Sequence, residues 1–125
     1  MTEAREAVVS PALVRHLIAA GTDNARLASK SFALHLTFGL HDRSRGERAW
    51  LRIDEGAITG GAGDADTRFE LSGDTDAWQA LTQGMPINRL LRQGRVEIRG
   101  DARSCIQNWL VVYLLTAGAN GFRDQ

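Results

Sequence analysis

The side chains able to act as metal ligands, nucleophiles or proton carriers are few and scattered. His16, His35 and His41 are the only histidines, and Cys105 is the only cysteine. His35 and His41 point to the same side of an alternating segment. They are six positions apart, roughly 20 Å at about 3.3 Å per residue, too far to share one ion. No metal site, metal cofactor or other cofactor is therefore expected. Cys105 falls inside a helical pattern, close to its polar flank and with no base nearby, and reads as a structural thiol. The stretch GGAGDAD (60–66) lacks the lysine and hydroxyl of a phosphate loop, and its glycine spacing fails the dinucleotide pattern. Ser10, Ser29, Ser31 and Ser72 stand in no nucleophile context. An enzyme reading would have to use Tyr113 or Asp66 as acid or base, each without a legible partner, so no catalytic residue is assigned.

Composition narrows the classes further. The 125 residues suit a single domain spanning 1–125, with 43% hydrophobic and 24% charged residues. Fifteen basic and fifteen acidic residues cancel to a formal charge of zero, which carries no footprint for nucleic acid. No apolar run approaches the roughly 18 residues of a membrane span. The opening MTEAREAVVSPALVRHLIAAG has acids at Glu3 and Glu6 and makes a poor signal peptide. With one cysteine and no export signal, the chain reads as cytoplasmic. Fourteen arginines against the single Lys30 hint at a GC-rich coding sequence.

The elements that must position these residues are more legible. Ser10-Pro11 starts a helix, because a serine oxygen caps and the proline needs no donor. Val14, Leu17 and Ile18 form its stripe, Leu13 lies beside it, and Gly21 stops it. Residues 22–31 read as a polar connection with room for one helical turn, so 1–31 is an N-terminal helix and connection. FALHLTFGLH is apolar at every second residue from Phe32 to Leu40, a strand buried on one face. ERAWLRID continues the alternation, AITGG is a short third strand, and TRFELS turns Phe69 and Leu71 inward. Short turns between one-sided strands predict an antiparallel meander with helices over one face.

Asp74 or Thr75 then caps a helix carrying Trp78 and Leu81, and Pro86 opens another with Ile87, Leu90 and Leu91. RQGRVEIRGD (92–101) is the fifth strand, and Asp101 caps a long last helix. Residues 119–125 read as a loose tail. On a wheel centred on Ile106, Ala102, Trp109, Leu110, Tyr113 and Ala117 fall within roughly one-sixth of a turn, which predicts the core stripe. Val111, Val112 and Leu115 sit on the back, so the last turns are apolar nearly all round. Three things can cover that surplus: the N-terminal helix and tail, a second copy of the chain, or an apolar ligand between helices and sheet.

The run WLRIDEGAITGGAGDADTRFELSGDTDAWQALTQGMPINRLLRQGRVEIRGDARSC resembles the sterol carrier protein type-2 domain family. GRVEIRGD (94–101) stands where that family has a strand opening its last helix. DAWQALTQG (76–84) matches its W/F..L..G stretch, and Asp54-Glu55-Gly56 matches its first strand turn. The likeness runs over about residues 32–116. One departure is MPINR, where the family often has LNP, so the start of that helix is not carried over. The resemblance implies an α+β fold: a five-stranded, mostly antiparallel sheet with helices packed on one face around an apolar tunnel. In relatives the tunnel holds sterols, fatty acids or acyl thioesters. Other relatives serve lipid or quinone pathways, and some bacterial members have no assigned role; a bacterial source is expected here too.

Binding or presentation of an apolar small molecule is thus the leading expectation: a lipid, sterol, acyl chain or polyketide- or quinone-like ligand. Phe38, Leu51, Phe69, Trp78, Met85, Leu90, Trp109 and Tyr113 are expected to line the site, with Tyr113 as a polar handle. An empty pocket of roughly 300 Å3 would cost on the order of 7 kcal/mol, so such a space should be filled, wet or collapsed. The alternatives are an accessory interaction module and a small enzyme of a lipid or natural-product pathway. A module would join a partner protein or a homodimer through the C-terminal helix or the Trp50 face. On that outward face Trp50 stands among Arg48, Arg52, Arg68, Glu70, Arg95, Glu97 and Arg99, a mixture suited to ion pairs or to docking.

Overall fold

A computed structural model describes residues 8–122. The start and end of the expected N-terminal and tail segments, 1–7 and 123–125, lie outside the described residues. Helix α1 (Pro11–Thr22) begins as its caps dictate, with Ser10 Oγ accepting from the Leu13 amide at 3.2 Å and Pro11 in the first turn. It buries Leu13, Val14, Leu17 and Gly21. The expected connection contains a helix instead, α2 (Ala25–Ser31), capped by Asn24 Oδ1 at 3.0 Å from the Leu27 amide. Leu27 is its anchor at 0% exposure. One apolar position gives no periodicity, which is why the sequence pattern missed it.

Five strands follow in one sheet of order β3-β2-β1-β4-β5. They are β1 (His35–Asp42), β2 (Glu47–Asp54), β3 (Ala57–Ala62), β4 (Phe69–Gly73) and β5 (Val96–Gly100). The helices between and after them are α3 (Thr75–Thr82), α4 (Ile87–Arg92), α5 (Ala102–Gln107) and α6 (Trp109–Ala117). β1–β2, β2–β3 and β4–β5 are antiparallel, as expected, but β4 returns beside β1 in parallel, so the simple meander is corrected. Alternation along a strand fixes which face is buried and says nothing about strand order. The strand expected from Phe32 starts at His35; Phe32 ends α2 in helical conformation and is 72% exposed. β2 and β3 are joined by Glu55-Gly56 with φ of 51° and 89°, a two-residue hairpin turn with both residues left-handed.

One face of the sheet carries Leu36, Phe38, Leu40, Ala49, Leu51, Ile53, Phe69 and Leu71, all buried in the core. α1 packs over β3 and against α6, and α5 packs on β4 and β5. A Cβ on Gly60 would lie 2.6 Å from the Trp50 carbonyl and 2.8 Å from Val14 Cγ1, so the bare backbone there sets how closely α1 approaches.

The stripe centred on Ile106 is a second correction. Ile106 is 67% exposed, and the buried side holds Ser104, Cys105, Val111, Val112, Leu115 and Thr116. Because α6 is apolar nearly all round, periodicity does not choose a face. Small Ser104 and Cys105 let α5 sit close to the sheet, which turns Val112 and Leu115 inward. The helix also divides at Asn108, whose side-chain amide donates back to the Ser104 carbonyl at 2.8 Å. The tail is less loose than expected: Ala119 is at 0% exposure, and Phe122 lies 5.3 Å from the His16 ring. No helix of the described residues is long and apolar enough to cross a membrane.

Candidate functional site

Hydrogen-bond register across the sheet places Gly60, Leu51, Phe38, Phe69 and Gly100 in one inward row. Phe38 and Phe69 stack at 5.3 Å with their planes 7° apart. From the helical layer Trp78 closes on the sheet, its Nε1 donating to the His41 carbonyl at 2.9 Å. Leu90 of α4 is fully buried as well. Five of the eight expected lining residues, Phe38, Leu51, Phe69, Trp78 and Leu90, thus belong to one core at 0–1% exposure. Met85, Trp109 and Tyr113 are half-buried at its margin. Met85 Sδ accepts from Arg95 at 3.7 Å, which ties the α3–α4 connection to the start of β5.

Among the described residues, clefts open elsewhere too, and two of them are bordered by none of the eight. The smaller, about 190 Å3, lies where the α2–β1 junction meets the α5–α6 break. Leu34, Leu110 and Val111 give it apolar walls; Lys30, Gln107 and Asn108 line it with polar groups. The larger, about 390 Å3, is polar and is lined by His35, Thr37, Arg52, Asp54, Asp66 and Arg68, among others. It brings Asp66 to a different surface from Tyr113, which belongs to the α6 margin. The two alternative acid–base candidates of an enzyme reading therefore stand in separate environments.

Strand pairing creates one cluster that spacing along the sequence concealed. His35 faces Asp54 across the ladder, with Nδ1 2.7 Å from Asp54 Oδ1, and its Nε2 is 3.6 Å from Glu55 Oε2. Their ligand atoms are close enough to share an ion, and all three residues are exposed. On the same outer face, His41 Nδ1 is 3.3 Å from Ser72 Oγ and 3.7 Å from Glu70 Oε1. Both contacts fall on one ring nitrogen. A relay needs the hydroxyl and the carboxylate on opposite nitrogens, so this trio is not a nucleophile triad.

The outer face is otherwise an ion-pair lattice. Arg48 Nε meets Glu70 Oε2 at 3.0 Å, Arg43 meets Glu97 at 3.5 Å, and Arg52 lies 5.2 Å over the Trp50 ring. Trp50 lies across Gly61, where a Cβ would come within 3.1 Å of Nε1. Cys105, expected at a polar flank, is fully buried, and burial pushes its thiol up to about 11. That is the opposite of an activated nucleophile.

Buried Asp42 escaped sequence reasoning because it reads as a turn residue. At 0% exposure, its Oδ2 accepts from the Thr75 hydroxyl at 2.8 Å. Its Oδ1 accepts from the Ser44 and Arg45 amides at 3.0 and 3.3 Å. It locks the β1–β2 turn to the first turn of α3, the helix that delivers Trp78.

No protein-family model and no curated relative matches the sequence. Solved structures do. A crystal structure of sterol carrier protein 2 superposes with a TM-score of 0.77 at 16% identity, covering 92% of this chain and 98% of the other. Palmitated SCP2L2 from Aedes aegypti gives 0.59 at 16% identity, covering 82% and 91%. UbiJ-SCP2, a ubiquinone synthesis protein, gives 0.58 at 15% identity, covering 86% and 89%. The chain has a sterol-carrier-protein-2-like fold: α+β, with a five-stranded, mostly antiparallel sheet.

Proposed function

We propose that this chain binds an apolar or amphipathic small molecule, a lipid in the broad sense, in the seam between sheet and helices. The observation that carries the reading is the full-length likeness to sterol carrier protein 2, both chains being covered almost end to end. Relatives of the same shape include one solved with palmitate, which makes a single acyl chain the first ligand to try. The eight residues from Phe38 to Tyr113 named above are the proposed lining. Since five of them are packed in the core, an acyl chain would enter by parting the layers at the half-buried margin of Met85, Trp109 and Tyr113. The nearly all-apolar α6 supports this: its one threonine, Thr116, donates to the Val112 carbonyl within the helix, so the helix can shift or turn without leaving a polar group unpaired in the core.

The test is an organic extract of freshly purified protein analysed by mass spectrometry, together with titration of a fluorescent fatty acid. Recovery of a stoichiometric lipid, or saturable binding weakened by Leu90→Trp, is expected. No extractable lipid and no response to the probe would sink the carrier reading. A second reading, a docking module, is favoured by the Arg52–Trp50 stack on a sheet face left uncovered by helices. If Trp50→Ala with Arg52→Ala leaves self-association and partner binding untouched, that reading goes.

A further inference from the structure

His35 opens β1 and Asp54 closes β2; the register sets them opposite each other, and alternation turns both away from the core. The Glu55 amide donates to the Leu34 carbonyl at 2.8 Å, which holds the hairpin turn against the start of β1. A second carboxylate thereby reaches the same imidazole, so that Asp54 meets Nδ1 at 2.7 Å and Glu55 meets Nε2 at 3.6 Å. Two acids adjacent in the chain repel each other, and exposed pairs of this kind contribute little to stability. One nitrogen of His35 and one oxygen of each acid lie within 4.8 Å of one another. Ligand atoms at about 2.0–2.1 Å from a tetrahedral ion stand roughly 3.4 Å apart, so rotation of these exposed side chains suffices to close on an ion. The next outward pair along the ladder is Thr37 with Arg52, and on the other side of β1 the Arg68 amide donates to the Thr37 carbonyl at 3.0 Å. His35, Asp54, Thr37, Arg52, Arg68 and Asp66 all border the 390 Å3 cleft. Thr37 Oγ1 accepts from Arg52 Nε at 3.2 Å, and among the described residues no carboxylate lies within ion-pair distance of Arg52 or Arg68.

We propose that His35, Asp54 and Glu55 bind a divalent transition-metal ion of the zinc class. Its remaining coordination positions open on the cleft and take a small oxyanion, a phosphate, phosphonate or carboxylate, held by Arg52 and Arg68. One imidazole with two carboxylates suits zinc or cobalt better than calcium or magnesium, which take oxygen ligands. Charge couples the two ligands. Asp54, Glu55 and Asp66 outweigh the two guanidiniums by one, so without metal the cleft repels an anion. A divalent ion reverses that balance to one net positive charge, and the guanidiniums then have an acid to meet. The site lies on the outer face of the sheet, opposite Leu36, Phe38 and Leu51, and is independent of any lipid in the seam.

The experiment is titration of the untagged whole chain with cobalt(II) and with zinc, with and without methylphosphonate. Binding is followed by calorimetry and by the visible spectrum of the bound cobalt. Circular dichroism checks folding, and His41→Gln is the control for an unrelated imidazole. A single equivalent should bind to the parent and to His41→Gln alike. His35→Gln and Asp54→Asn should each weaken binding on the order of tenfold or more, since losing even an outer partner of a metal ligand costs about 10–100-fold. Methylphosphonate should tighten metal binding and shift the cobalt spectrum, and the metal should tighten methylphosphonate binding by the same factor. Arg68→Gln should remove that coupling while the metal alone still binds. No stoichiometric binding to the parent, or binding that His35→Gln and Asp54→Asn leave unchanged, overturns the site. A metal held through His35 whose affinity ignores methylphosphonate upholds the ion site and overturns the oxyanion.

Discussion

Replacing Asp42 by alanine should be among the costliest single changes outside the apolar core. Asp42 is wholly buried and accepts three hydrogen bonds, from the Thr75 hydroxyl and the Ser44 and Arg45 amides. A hydrogen bond to a charged group contributes about 1.5–3 kcal/mol net. The two amides lie in an exposed turn where water replaces the carboxylate, so their share is discounted. Thr75 is only 9% exposed, and its hydroxyl loses a partner that water reaches poorly. The sum expected for Asp42→Ala is about 3–4 kcal/mol, or a fall in Tm of roughly 10–15 °C for a domain of this size. Asp42→Asn keeps an acceptor and the side-chain shape and should cost about half as much. Thr75→Val should cost about 1–3 kcal/mol and couple to Asp42→Ala by about 1–2 kcal/mol in a double-mutant cycle. Urea unfolding followed by circular dichroism compares the three single variants and the double variant with the parent. If Asp42→Ala stays within about 0.5 kcal/mol of the parent, the surface-substitution range, the clamp between turn and helix has been misread.

Cys105 gives a prediction in pH. Burial raises its thiol from 9.0 to about 11, so the unfolded chain loses that proton first as pH rises. The contribution is fully present below pH 9 and lost progressively towards pH 11, about 2–3 kcal/mol in all. Cys105→Ala should remove that alkaline slope in denaturation curves, and the native thiol should resist alkylation at pH 8 until the chain unfolds. Gly60→Ala should cost about 1–3 kcal/mol, because the new methyl meets the Trp50 carbonyl, a backbone atom that cannot swing away. A melting temperature equal to the parent's would mean that α1 has more slack over β3 than the contact implies.

The strands were legible because each buries one side only, and a period of two survives in sequence whatever the strand order. Caps were legible for the same local reason: Ser10, Asp74 and Asp101 each accept from an amide three residues on, as their side chains suggest. What needed three dimensions was pairing. His35 meets Asp54 only through the β1–β2 register, and Asp42 meets Thr75 only because β4 lies beside β1. The face of α6 was misread because nearly every residue there is apolar, and the deciding signal was two small residues upstream, Ser104 and Cys105. Of the proposed lining, the five core positions were found by alternation and helical spacing. Those patterns report burial, and burial alone does not distinguish a ligand's wall from ordinary packing.

The parallel pairing of β1 with β4 also governs the order in which the molecule can be assembled. As the polypeptide is synthesised, β2 satisfies one flank of β1 at once through a tight hairpin. The other flank stays bare until residues 69–73 exist, with the greasy side chains of Leu36, Phe38 and Leu40 alongside it. Throughout that interval the middle of the future sheet is an unprotected edge, open to a strand from another nascent chain.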